Sequence, residues 1–139
     1  MANQVYNNFK KLALSGTVNF NTATLKMMLF SGNYTFSQSH TVTGDLGYTE
    51  IKGGSYTPGG QTLSSVVISI DAVDNEVVLD ASDMTYSAIT SSLRYGIIYA
   101  AGGTPSTSYL IGQVDFGAQT LAASDFQVTW NSEGILNLM

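Results

Sequence analysis

At 139 residues, with five Lys or Arg against ten Asp or Glu, the chain has the length of one domain and a net charge of −5. The scarcity of basic residues excludes a nucleic-acid footprint, and the lack of cysteine excludes disulfides, thiolate chemistry and sulfur-bound metals. Charged residues are only 11% of the chain where about a quarter is usual, and Ser, Thr, Asn, Gln, Gly and Tyr take their place.

Such a composition suits strands, turns and faces that pack against other subunits, because little surface charge opposes association. The start, Met1-Ala2-Asn3-Gln4, has no basic leader with an apolar run behind it, so no signal peptide is expected. No stretch approaches the ~20 apolar residues of a membrane-spanning helix, and no membrane partner is expected.

Val5, Phe9 and Leu12 recur at helical spacing, with Leu14 near the same stripe. With Asn3 as N-cap and Gly16 as terminator, they predict one short amphipathic helix over residues 4–14. Lys10 and Lys11 would fall near its C-terminal end, where cations suit the helix dipole. Thr17–Phe20 and Thr24–Phe30 then read as strands joined at Asn21-Thr22-Ala23. Residues 31–47 are polar and irregular, with a helical turn expected near His40–Leu46; a loop this long is commonly functional or mobile.

Tyr48–Ile51 reads as a short strand, and Pro58-Gly59 as the centre of a type II turn. Leu63–Asp71 and Glu76–Ala81 alternate apolar and polar residues across the tight link Ala72–Asn75, and Met84–Tyr86 reads as a strand fragment. The strongest pattern is the pair Leu93–Ala100 and Tyr109–Phe116, separated by the Gly/Pro/Ser cluster 101–108. Leu93, Tyr95, Ile97 and Tyr99 should share one face, as should Leu110, Gly112, Val114 and Phe116. Both strands carry apolar residues on both faces, which places this hairpin in the middle of a sheet.

Gly117–Ser124 reads as a polar connection. Phe126, Val128 and Trp130 share a strand face that should be core, and Ile135–Leu138 closes the chain as a last strand. The sum is an all-β protein: an antiparallel β-sandwich of about eight strands with one short N-terminal α-helix. No repeat or linker divides residues 1–139, so they are read as one domain.

Catalytic chemistry finds few parts. His40 is the only histidine, lies in a soft polar loop, and has no Gly-x-Ser-x-Gly elbow to serve, so it reads as a loop residue. Asp71, Asp74, Glu76, Asp80 and Asp83 are the best candidate metal ligands, yet Asp74-Asn75-Glu76 lacks the Gly and distant Glu of a calcium loop. They read as solvated turn residues, and neither metal nor cofactor is expected. Gly53-Gly54 and Gly59-Gly60 do not precede a helix, where a phosphate cradle would need them. The sequon Asn33-Tyr34-Thr35 means little without a secretory leader. Among the eight tyrosines, Tyr95 and Tyr99 should be buried or half-buried, leaving Tyr34, Tyr48, Tyr56 and Tyr109 as the surface set.

Four stretches in this order resemble a family of small virion structural proteins of tailed bacteriophages. They are Ala2-Asn3-Gln4-Val5-Tyr6-Asn7-Asn8-Phe9-Lys10; Gly47-Tyr48-Thr49 through Tyr56-Thr57-Pro58-Gly59-Gly60-Gln61-Thr62-Leu63; Arg94-Tyr95-Gly96-Ile97-Ile98-Tyr99 with Leu110-Ile111-Gly112-Gln113-Val114-Asp115-Phe116-Gly117; and Phe126–Asn131 with Gly134-Ile135-Leu136. Residues 31–47 depart from the family pattern, which is more acidic there. The resemblance implies a non-enzymatic building block, assembled in the bacterial cytoplasm and ending in the virion. A head decoration or cement protein is favoured, on the capsid exterior, bound to the major capsid protein lattice as a homo-oligomer, often a trimer. Low charge and broad uncharged faces suit many copies of a modest interface.

The expected contacts are Val5, Phe9 and Leu12 on the helix, Tyr34 and Phe36 in the loop, and Tyr56. Deleting residues 2–14 should then leave a folded sandwich that no longer joins particles. The alternatives are a tail or fibre component, touching a host glycan through exposed tyrosines or the 101–108 loop, and a small β-sandwich hydrolase or lyase.

Overall fold

The computed structural model describes residues 2–47 and 50–138. They form β1 (Ala2–Val5), α1 (Asn7–Ser15), β2 (Leu25–Phe30), β3 (Gln61–Thr62), β4 (Val67–Asp71), β5 (Glu76–Asp80), β6 (Met84–Ala100), β7 (Tyr109–Val128) and β8 (Leu136–Leu138). A five-stranded sheet runs β1-β7-β6-β2-β3 and a three-stranded sheet β4-β5-β8, every pair antiparallel. This is the all-β sandwich with one short helix that the sequence predicts.

The central hairpin is the axis, as expected from its two apolar faces, but it is far longer than its sequence signal. β6 takes in the Met84–Tyr86 fragment, and β7 runs through Gly117–Ser124, which is strand rather than connection. Its faces also differ from simple alternation. Ile98 pairs with Gly112 and Tyr99 with Leu110, so Ile111 is an extra residue in β7. A second register shift lies between Leu93/Gln119 and Tyr95/Asp115. These bulges put Leu93 and Ile111 on the face of Ile98 and Val114, while Tyr95, Ile97, Tyr99 and Leu110 take the other.

One face packs on the small sheet. Met27, Leu29, Ile98, Ile111 and Val114 meet Leu79 of β5 and Leu136 of β8, with Phe126, Val128 and Trp130 in the same cluster, as expected. Trp130 donates its Nε1–H to the Ser82 carbonyl at 3.1 Å. The opposite face gathers Tyr6, Met28, Phe30, Ile97, Tyr99 and Leu110 under Tyr34 and Leu46. Residues 31–47 therefore cover a second apolar cluster rather than standing free. The expected helical turn there is a short 3-10 turn, Thr43–Asp45.

The N-terminus departs from expectation. Residues 2–5 pair with the β7 edge, from Ala2 opposite Asp115 to Val5 opposite Gly112, and the helix begins only at Asn7. Ladder bonds at an open sheet edge win over helix formation here, where Asn3 and Val5 are weak helix formers. Gly16 does terminate the helix, in the left-handed conformation at φ 69°. Lys10 and Lys11 sit mid-helix, so the dipole argument lapses, and Leu14 points to solvent. Phe9 and Leu12 are buried with the core, which overturns the expectation of a detachable helix. Thr17–Phe20 forms no strand; Phe20 folds under Phe9 in an edge-to-face pair at 4.9 Å. The expected Tyr48–Ile51 strand begins outside the described residues, and Ile51 itself lies in no strand.

Candidate functional site

The contact residues expected from the sequence divide by burial. Phe9, Leu12 and Tyr34 are buried inside the protein and so are unavailable to a partner. Val5 is half-buried against the core, and Phe36 is half-buried with its ring 4.6 Å from that of Tyr6. The half-buried Tyr56 works internally, donating to Glu50 Oε2 and accepting the Leu29 N–H at 3.0 Å. Tyr95 and Tyr109 are half-buried and Tyr99 is buried; Tyr48 lies outside the described residues. The 101–108 loop is tied down too: Thr43 N–H donates to the Ser108 carbonyl at 2.9 Å and Gly44 N–H to the Pro105 carbonyl at 3.2 Å.

The apolar surface lies instead on the small sheet, at the β4–β5 hairpin. Ile70 pairs with Val77, and Val77 with Leu138. Two residues along, the row Ile68–Leu79–Leu136 meets the core, so by pleat alternation the Ile70 row belongs to the same face. There it overhangs the covering layer: Ile70 is 80% exposed and Val73 at the hairpin tip 87%, while Val67, on the opposite face of β4, is 55% exposed. β4 is also an edge strand, and Val66-Val67-Ile68-Ser69-Ile70 carries none of the Lys or Pro that shield such edges. Sequence reading missed this surface because β4 alternates like any half-buried strand, and the overhang depends on where the neighbouring layer stops.

Of the acidic residues, Asp71, Asp74 and Glu76 come together, with carboxylate oxygens within 4.8 Å of one another at the hairpin turn. Their bonds account for the grouping: Asp71 Oδ1 accepts the N–H groups of Val73 and Asp74, and Glu76 accepts the Asn137 amide. Asp80 and Asp83 stand apart, capping the N–H groups of Ala81 and Trp130 at 2.8 and 2.9 Å. His40 Nδ1 is buried with no hydrogen-bond partner among the described residues. Asp45, a few residues on, is committed to the Thr41 and Val42 N–H groups, which hold its carboxyl below the ordinary carboxylate value.

A cleft of about 430 Å³ opens on the other face of the large sheet, between its β1–β7–β6 portion and residues 32–36. Gln4, Gln113, Asp115 and Tyr95 form its floor, and Gly32, Tyr34, Thr35 and Phe36 its wall. Arg94 holds Asp115 with two hydrogen bonds of 3.0 Å, and its guanidinium carbon lies 5.1 Å from the Tyr95 ring centre. The guanidinium bond, opposed by partial burial, keeps the Asp115 carboxyl below its ordinary value. Gln113 is 5% exposed; its Nε2 donates to Gln4 Oε1 at 3.2 Å, while its Oε1 is buried with no partner. Nothing in the alternation of Gln113 with Gly112 and Val114 announces a polar residue buried beside a cleft.

Compared with known proteins, the chain matches no family model, no curated protein and no solved structure.

Proposed function

We propose that this protein is a non-enzymatic structural component of a tailed-bacteriophage virion, a capsid decoration or cement protein that binds and stabilises the major capsid protein lattice as a homo-oligomer. The supporting observation is the unshielded edge and overhanging apolar row of the β4–β5 hairpin, with Ile70 and Val73 exposed on a two-sheet scaffold. Free strand edges with an apolar face add partners by main-chain pairing and side-chain burial. Few charges elsewhere oppose close packing of many copies.

The test is co-sedimentation with purified capsids assembled without this protein. Wild-type chain should pellet with them, and Ile70→Lys should stay in the supernatant while keeping its circular dichroism and melting temperature. Failure of the wild type to bind the shell overturns the reading. The second reading, a tail or fibre component that touches the host surface, draws on the aromatic and amide cleft. Gold labelling of particles separates the two: label on the head favours cementing, label on the tail favours adhesion.

A further inference from the structure

We propose that the cleft between Gln4, Gln113, Asp115, Tyr95 and residues 32–36 is a binding site for a single neutral pyranose ring. The assignment stands on the cleft alone and holds whether the protein sits on the head or the tail.

The first ground is the buried amide of Gln113, which has one end on Gln4 and the other without a partner beside the cleft. Buried polar atoms are nearly always paired, so the site calls for a hydrogen-bonding group from outside. Turning the amide over exchanges its oxygen and nitrogen but leaves one polar atom unmatched either way. A hydroxyl answers both orientations, because it donates and accepts.

Charge narrows the class further. The Asp115 carboxylate is matched by Arg94 Nε and Nη2 and by the Gly117 N–H at 2.9 Å, so the floor offers no uncompensated charge to an ion. An anion would meet the Asp115 carboxylate, and a cation would find that carboxylate already neutralised by Arg94. A neutral polyol meets neither objection. The accessible aromatic lining is the half-buried Tyr95 and Phe36, with the buried Tyr34 ring backing Tyr95 edge-to-face at 5.9 Å. Rings of this kind carry the C–H face of a sugar while the amide and Thr35 hydroxyl take its oxygens. The cleft volume falls within the range of small-molecule sites, about 300–1,000 Å³.

Saturation-transfer NMR on the full chain tests the proposal with D-glucose, D-galactose, D-mannose, L-rhamnose and N-acetyl-D-glucosamine as probes. Transfer to the ring protons of at least one sugar is expected. Gln113→Leu removes the unmatched polar atom and should abolish transfer. Gly32→Phe blocks the wall from an exposed position where an added Cβ meets only Arg94 Cδ, at 3.8 Å, and should abolish it with the fold intact. Should Gln113→Leu fail to fold, Gly32→Phe decides alone. Absence of transfer to every probe, or equal transfer in wild type and Gly32→Phe, overturns the assignment.

Discussion

Leu136 of the small sheet fills the space that Gly112 of the large sheet leaves open. A Cβ at Gly112 would lie 2.7 Å from Leu136 Cδ1 and 2.9 Å from the Gln4 carbonyl oxygen. The leucine end can swing aside, but the β1 backbone cannot without giving up its pairing with β7. Gly112→Ala is therefore expected to destabilise the protein by roughly 1–3 kcal/mol, the usual penalty of overpacking. Urea unfolding measures it, with the midpoint lowered and the slope unchanged. A midpoint equal to wild type would mean that the sheets are not in close contact there.

The buried N-terminal helix gives a second expectation. Phe9 packs on Phe20 and Leu12 joins the same cluster, while β1 before them is a paired strand. Phe9→Ala should cost about 3–5 kcal/mol, as for other large core aromatics. Deleting residues 2–14 should leave a chain without a cooperative thermal transition. A truncated protein that still melts sharply near the wild-type temperature would return the helix to the surface.

The central hairpin was legible because Ile97, Ile98, Leu110 and Ile111 crowd both faces of a short run. Its full length was not. Beyond Leu93 and Phe116 the strands become more exposed, and Ser87, Ser92, Gln119 and Ala122 carry no alternating signal. The bulges at Ile111 and near Arg94 were equally silent, since either register buries apolar residues. Tyr34, expected at the surface, and Leu46 instead form a cover that was silent for a different reason: irregular chain has no period to detect. The interface expected from Phe9, Leu12 and Tyr34 failed on this point, because amphipathic residues mark a buried face without saying whether the burying partner is the same chain.

The Arg94–Asp115 pair sets a pH dependence. Hydrogen bonding to Arg94 lowers the Asp115 carboxyl from its ordinary 3.8, and the Asp45 cap lowers its own through the Thr41 and Val42 N–H groups. A carboxyl depressed in the folded state adds stability above its unfolded value, and that stability disappears as pH falls through the folded value beneath it. Stability should thus be flat above about pH 5 and decline below about pH 4. Asp115→Asn should lower the urea midpoint at neutral pH and shrink the acid decline. Identical pH profiles for variant and wild type would assign the acid sensitivity elsewhere.

Tyr56 anchors the 50–60 segment to β2. Its hydroxyl accepts from the Leu29 N–H and donates to Glu50, which also accepts the Gly59 N–H at 2.9 Å. Tyr56→Phe keeps the ring yet leaves a strand N–H and a carboxylate short of a partner, a loss of about 1–3 kcal/mol. Amide hydrogen exchange should speed up at Leu29 and Gly59 ahead of the hairpin core. Unchanged protection at both amides would show that the hydroxyl contributes nothing.

Alkaline titration reads the interior directly. Burial is the largest cause raising the Tyr6, Tyr56 and Tyr86 phenols well above their ordinary 10.0; the Tyr34 hydroxyl adds to it for Tyr6 and Glu50 for Tyr56. A group raised in the folded state gives its stability in full below the unfolded value of 10.0, and loses it as pH climbs toward the folded value. Deprotonating any of the three in place would strand a phenolate among apolar side chains, and unfolding relieves that at lower cost. Phenolate absorbance from these three should accordingly rise steeply, well above pH 10.0, in step with loss of the β-sheet circular dichroism. If Tyr6 ionises gradually around pH 10 while the sheet signal persists, the second cluster under Tyr34 and Leu46 is open to solvent and the cover formed by residues 31–47 does not exist.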